Sequence, residues 1–555
     1  MTFTIAQLAH GRPDFRDDAM QSAARRDGDA SVWPSLLTGD PRAALERLGG
    51  DFAVGWRDER GRVVAAVDRF AVNSLCWRLV GDELRFASRA DELADPGHAL
   101  DPQAIFDYLY FHAIPSPRTI FQGVHRLPPA HCLVFEHGQV QVMPYWVPRF
   151  DEHRAEPFAT KKADFLGLVE QAVARGLDGG TPACFLSGGT DSSTVAGMIG
   201  RVAGRPAHTY SIGFEAQGYD EMAFARTTAR HFGTVHHEYY VTPDDLVASI
   251  PLVAAHYDQP FGNSSALPAY HCARRAREDG VTRLLAGDGG DELFGGNTRY
   301  AKQRMFGWYG LLPQAVRGHL MEPAFERSPL AGVPGFSKVA SYIEQAKVPM
   351  PDRMQMYNLL LRLGLQEVLT PAFLERVDPQ APLRHQRDVW SAAPTAGSLN
   401  RTLVYDWRYT LAESDLPKVS MTTALAGLQV TYPFLDRALL DFSLALPPSD
   451  KLRGLKLRWF FKAALRGFLP DEILAKKKQG FGLPFGIWAT QHAPLRALAE
   501  ESLASLARRG LVRPEFVESL MARHLPEHPG YYGEMVWILM MLEQWLRAKA
   551  SDWRI

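Results

Sequence analysis

The chain has 555 residues, more than one compact core holds, so two or more domains are expected. It is 46% hydrophobic and 22% charged, and 61 Lys+Arg against 62 Asp+Glu leave a formal net charge of -1. That balance gives no basis for a nucleic-acid or membrane-surface partner and makes any anion site a local feature.

The four cysteines, Cys76, Cys132, Cys184 and Cys272, form no CxxC pair, which argues against zinc or a redox couple and fits a cytoplasmic protein. The N-terminus, MTFTIAQLAHGRPDFRDD, lacks the basic-then-apolar order of a secretory signal. The apolar run Met535–Leu542 is too short to span a bilayer, which takes roughly 20 residues, and reads as a core helix.

In chain order, Asp51–Trp56, the turn Glu59–Arg62 and Val63–Val67 read as a hairpin, and Leu84–Ala87 and His131–Phe135 as further strands. Gly and Pro punctuate this part up to a charged linker at Arg149–Glu156. Beyond it, short apolar strands at Ala183–Leu186, Ala207–Ile212 and Arg283–Ala286 alternate with helix-length segments. That order predicts a parallel, doubly wound sheet. Past about residue 300 the pattern is mostly helical. The expected organisation is a β-rich α+β domain over 1–146 and an α/β domain with a helical C-terminal part over 157–555.

Two loops carry the chemistry. Leu186-Ser-Gly-Gly-Thr-Asp-Ser-Ser193 follows a strand and opens a helix. Small residues there present backbone N–H groups to an anion, the helix N-terminus adds partial positive charge, and the hydroxyls of Ser187, Ser192 and Ser193 add donors. Asp191 in an anion-binding loop makes sense only with a cation bridging it to phosphates. The loop is not GxxxxGK[ST], so a Walker-type site is disfavoured. The plain alternative is a glycine-rich turn that caps a helix.

The second loop, Ala286-Gly-Asp-Gly-Gly-Asp-Glu-Leu-Phe-Gly-Gly296, follows the third apolar strand. Loops at the carboxyl ends of strands in one parallel sheet can face the same crevice. Asp191 and Asp291 would then share Mg2+ on a triphosphate, with Asp288 near the reacting centre. The alternative is a solvated acidic turn.

These residues resemble the asparagine-synthetase family. Ser187–Ser193 matches its pyrophosphate loop, and Gly287–Glu292 its Gly-Glu-Gly-x-Asp-Glu loop with Asp288 in place of Glu. Tyr210–Phe214, Tyr219–Glu221, His236-His-Glu238, Tyr432–Asp436, Leu446–Pro448, Lys451–Lys456 and Lys478–Pro484 continue in the family's order. The His236-His237 pair is read as part of this match rather than as zinc ligands.

The resemblance implies a glutaminase-like domain of the N-terminal-nucleophile type followed by an ATP-pyrophosphatase domain. It implies ATP and Mg2+ as cofactors. The nucleotide would meet Leu186, Ser187, Gly188, Gly189, Asp191, Ser192, Ser193, Ile212, Ala286 and Gly287. Asp191 and Asp291 would hold the metal, and Asp288 and Lys456 would be catalytic, with Lys456 offsetting charge as the amide forms. Read alone, Lys456 is a surface lysine.

The chain also departs from the family. Glutamine-dependent members carry an N-terminal cysteine nucleophile, and position 2 here is Thr2. The early part is shortened before Asp51, while Asp68–Leu75, Phe86–Ser88 and Ile120–Pro129 resemble the later part of that domain. In Lys418–Pro433, Ser420-Met421 stands for the family's Asp-Arg, Gln429 for Glu and Thr431 for Arg, so charged groups expected near phosphate or substrate are neutral.

The resulting reading is adenylation of a carboxylate and its amidation by ammonia or an amine, without glutamine hydrolysis by this chain. Its substrates would be small molecules or peptides, with oligomeric state open, a homodimer included. The alternatives are a lactam- or peptide-forming cyclase of the same superfamily and a catalytically silent scaffold.

Overall fold

A computed structural model describes residues 7–152, 156–216, 218–311, 313–317, 334–395, 397–477 and 482–555. Thr2 and positions 478–481 of the Lys478–Pro484 motif lie outside these.

The N-terminal part contains β1 (Gln7–Asp14), β2 (Gly49–Arg57), β3 (Val63–Val67), β4 (Cys76–Val80), β5 (Glu83–Ala87), β6 (Val124–Arg126), β7 (His131–Glu136) and β8 (Gln139–Pro144). An antiparallel sheet runs β1-β2-β3-β7-β8, and β4 is the centre of a smaller sheet, β5-β4-β6. The expected hairpin is β2–β3, pairing Ala53 with Val67 and Arg57 with Val63.

Every residue of β3 is buried because both faces of the sheet are covered. Val64 and Ala66 pack with Trp33, Leu36 and Leu37 on one side. Val63, Ala65 and Val67 pack with Leu84 and Phe86 of β5 on the other.

The second sheet contains β9 (Ala183–Phe185), β10 (His208–Phe214), β11 (Val235–Val241), β12 (Arg283–Leu285) and β13 (Gln429–Thr431). Its order is β11-β10-β9-β12-β13, and every pairing is parallel. The chain moves outward from β9 through β10 to β11, then returns to place β12 on the other side of β9. The topological switch therefore lies between β9 and β12, where a doubly wound sheet opens a crevice at its carboxyl edge. The edge strand β13 was not expected from the sequence pattern. Past residue 300 the described chain is mostly helical, with a short hairpin of β14 (Leu452–Arg453) and β15 (Lys456–Leu457).

Met535–Leu542 lies in the helix Pro529–Lys549, buried from Met535 through Leu546. Polar tips as well as apolar area anchor this helix, and one of them, Tyr108, comes from the N-terminal half. Tyr108 Oη donates to Ile538 O (2.8 Å), Trp537 Nε1 to Gly262 O (3.0 Å) and Trp545 Nε1 to Tyr257 O (3.1 Å). One core cluster accordingly holds Ile105 and Phe106 beside Ile538 and Leu542. Among the described residues no helix is long and apolar enough to cross a membrane.

Lys451, in the Lys451–Lys456 motif, is 1% exposed, bonds Asn400 Oδ1 (3.2 Å) and lies over the Phe150 ring (4.9 Å). Burial pushes its ammonium down to about 7, with Glu152 opposing. Above pH 7 the unfolded chain holds a proton that the folded chain does not, so this group adds stability as pH rises from about 7 towards the ordinary lysine value. Denaturant titrations should show wild type gaining on Lys451→Met across that window; a constant gap would contradict the burial account.

Candidate active site

β9 ends in the 186–189 loop, which opens the helix Thr190–Ala203. Gly188 sits at φ +67°, and a Cβ there would lie 2.5 Å from Ala225 N, so only glycine makes this turn. Ser192 Oγ accepts from Ser187 N (3.2 Å) and meets Ser187 Oγ (3.1 Å), tying the loop to the first helical turn that carries Asp191. β12 ends in a second loop, which opens the short helix Gly290–Phe294 with Asp291 in its first turn. A Cβ at Gly290 would collide with the Asp191 carboxylate and approach Arg458 Nη2. The absent side chain is what lets the two loops close on each other.

Between the loops stands Arg458. Its Nη1 lies 2.7 Å from Asp191 Oδ2, 2.8 Å from Asp291 Oδ1 and 2.9 Å from Thr190 Oγ1, and Nη2 bonds Asp191 Oδ1. The two carboxylate oxygens on Nη1 are therefore no more than 5.5 Å apart. Arg458 is 4% exposed and packs on Phe461, 3.8 Å from the ring centroid. Burial alone would weaken its charge, but Asp191 and then Asp291 outweigh it and hold the guanidinium more firmly protonated than usual.

These loops border a pocket of about 470 Å3. Leu186, Ser187, Asp191, Ser192, Ile212, Gly287, Asp288 and Asp291 line it. Lys418 also lines it, pairing with Asp415 (2.9 Å) and Asp288 (3.6 Å). Burial works against its ammonium, yet Asp415 and Asp288 raise it above the ordinary lysine value. A further lysine, Lys476, reaches Gly188 O (3.3 Å) and Glu221 (3.0 Å), beside the first loop. The sequence reading gave no role to Lys418, Arg458 or Lys476. Arg458 follows Lys456 by two residues, just past the end of β15, and the sequence alone does not tell the two cations apart.

Several expected site residues lie elsewhere. Lys456 is exposed on β15 of the hairpin, and the left-handed backbone of Arg458 (φ +52°) turns the chain so that the later cation enters the site. Ser193 is fully buried, and its hydroxyl meets Thr228 Oγ1 (2.9 Å) rather than the pocket. Ala286 is buried, continuing the sheet through its N–H to Thr431 O (2.9 Å). Gly188 and Gly189 shape the loop without lining the pocket.

The neutral positions also fall elsewhere. Ser420, Met421, Gln429 and Thr431 line a separate cavity of about 680 Å3, bordered on its far side by Arg12, Asp51 and Asn73 of the N-terminal part. The lost charges therefore bear on that cavity, while Lys418 and Val419 of the same helix, Leu416–Leu425, line the pocket.

The donor set is two converging carboxylates, the kind a hard divalent cation takes together with phosphate and water oxygens, and Arg458 bonds three of their four oxygens here, so a metal ion would share them with it. Among the described residues no group of three His, Cys, Asp or Glu is arranged to hold a metal unaided. His236 and His237 pair with Glu238 (3.5 Å) and Asp279 (3.1 Å) respectively.

Comparison with known proteins gives this geometry a family. The asparagine synthase family model matches residues 164–547, and the glutamine amidotransferase domain model matches 14–146. The chain is 23% identical to asparagine synthetase [glutamine-hydrolyzing] 1 of Bacillus subtilis over 531 residues, 94% of this chain and 80% of the relative. It is 26% identical to a putative asparagine synthetase of Mycobacterium tuberculosis over 466 residues, 80% of this chain and 68% of the relative. It is 24% identical to amidase chyE of Penicillium rubens over 490 residues, 80% of this chain and 71% of the relative. The chain belongs to the asparagine synthase family and is an ATP-dependent carbon–nitrogen ligase.

Proposed function

We propose that the protein activates a carboxylate as its adenylate and converts it to an amide with ammonia or an amine, without hydrolysing glutamine itself. The observation that carries this reading is the closure of Asp191 and Asp291 around the buried Arg458 at the switch point of the parallel sheet. ATP would lie in the 470 Å3 pocket, its phosphates against the Ser187–Ser192 loop and the N-terminus of the Thr190–Ala203 helix. Asp191 and Asp291 would hold Mg2+, which when bound neutralises phosphate charge.

A carboxylate oxygen of the acid attacks the α-phosphorus and pyrophosphate leaves. The amine nitrogen then attacks the acyl carbon, loses a proton, and AMP departs with the bonding pair of the C–O bond. Asp288, held 3.6 Å from Lys418, faces the same pocket and is placed to take that proton. Arg458 takes the charge-balancing role first assigned to Lys456, because it is the cation that enters the site.

Three measurements test the reading. Asp191→Asn and Asp291→Asn should each abolish Mg2+-dependent exchange of pyrophosphate into ATP while circular dichroism stays that of the wild type. Wild-type exchange would refute the metal role.

Arg458→Ala should lower amide yield by about 10²–10³-fold, the scale for one lost oxyanion donor. Lys456→Ala should leave both exchange and amide yield near wild type. The reverse pattern would return the role to Lys456.

The purified protein should release no glutamate from glutamine. All four cysteines are buried, and burial raises each thiol, Cys132 to about 11. Steady glutamate release would overturn this part of the proposal.

A further inference from the structure

Asp415 lines the adenylation pocket beside Asp288 and Lys418. It ends the π-helix Trp407–Asp415 and stands at the N-cap of the helix Leu416–Leu425. The wide turn of a π-helix sets residues five apart on nearly one face, and Thr410 and Asp415 accordingly both border the pocket. An aspartate at an N-cap ordinarily accepts from backbone N–H groups of the first turn. Among the described residues the Asp415 side chain makes no such bond. Its Oδ1 accepts instead from Lys418 Nζ (2.9 Å).

Lys418 stands between two carboxylates. Asp415 is at hydrogen-bond distance, while Asp288 Oδ1, at 3.6 Å, is just outside it. The two oxygens are therefore no more than 6.5 Å apart. Burial works against the ammonium, and Asp415, ahead of Asp288, outweighs it. The backbone on both sides of the pair is held. Asn263 Nδ2 donates to Ser414 Oγ (3.0 Å), and Tyr257 Oη donates to Lys418 O (3.4 Å). A swing of the lysine head by under about 1 Å would turn its contact with Asp288 into a hydrogen-bonded ion pair. A carboxylate in such a pair holds its charged form more firmly and takes a proton less readily.

We propose that Asp415 is a positioning residue for amide formation: it engages the Lys418 ammonium and so keeps it from pairing fully with Asp288. In that step the amine nitrogen bonds the acyl carbon, its proton passes to an Asp288 oxygen, and AMP leaves with the electron pair of the C–O bond. Asp415 acts through Lys418 and not on the reacting atoms. This role rests on the amide-forming reading above, while the sharing of one lysine by two carboxylates does not.

Unfolding of variants and a split between the half-reactions test this. Asp415→Asn and Asp288→Asn, each made in the full chain, should lower the thermal midpoint only slightly, because the lysine turns to the remaining carboxylate. The double variant strands a buried ammonium and should lower the midpoint by clearly more than the two single shifts together. Adding Lys418→Met should remove that excess. In turnover, hydroxylamine serves as the amine and L-aspartate, or whichever carboxylate supports exchange, as the acid. Asp415→Asn should lower hydroxamate yield at least about 10-fold while pyrophosphate exchange stays near wild type. A general loosening of the pocket would lower both. Additive shifts on unfolding, undiminished hydroxamate yield, or exchange falling as far as the yield would each overturn the proposal. Absence of exchange in the wild type would instead strike the adenylation reading, and the unfolding cycle would still read whether the lysine is shared.

Discussion

Two aspartates on separate loops, drawn together in a buried crevice, repel each other unless a cation lies between them. Arg458 is that cation here, and the surrounding architecture serves the approach. β9 and β12 are neighbours only because the chain reverses direction across the sheet, which sets both loops on the same carboxyl edge. Gly290 leaves room for the Asp191 carboxylate, and Phe461 supports the guanidinium from below. A site that neutralises like charges with an internal cation is prepared for phosphate chemistry, where the charges to be managed are larger still.

The Leu416–Leu425 helix divides the molecule's interior into two chemical environments. One side carries Lys418 to Asp288 and the nucleotide pocket. The other carries Ser420 and Met421 to a cavity shared with the edge of the N-terminal sheet. The helix is held in place by Tyr432 Oη, which meets Ser420 Oγ (2.7 Å), and by Tyr257 Oη, which donates to Pro417 O (3.3 Å). The N-terminal part therefore forms a wall of the interior, and the Pro529–Lys549 helix locks that wall to the rest.

Much of this was legible in the residues. Apolar strands followed at once by small residues and aspartate announced both loops, because such loops need both a strand end and a tight turn. The β2–β3 hairpin was readable from alternation around Glu59–Arg62. Other features escaped for physical reasons. β13 is three residues long at a sheet edge, too short to carry a periodic signal. Lys456 and Arg458 are both cations in one short stretch, and only the left-handed turn at Arg458 decides which enters the site. Ser193 shares the loop's composition, but helical spacing points it at Thr228, away from the pocket. The neutral residues at 420, 421, 429 and 431 were noticed as a group. Their destination, a cavity formed with residues almost 400 positions earlier, is a tertiary fact.

Oxygen transfer tests the central claim most directly. An acid substrate labelled with oxygen-18 in its carboxylate, turned over with ATP and an amine, should yield AMP carrying one label, because the carboxylate oxygen that attacks phosphorus leaves with AMP. Unlabelled AMP, or ADP and phosphate in place of AMP and pyrophosphate, would contradict adenylation as the activating step.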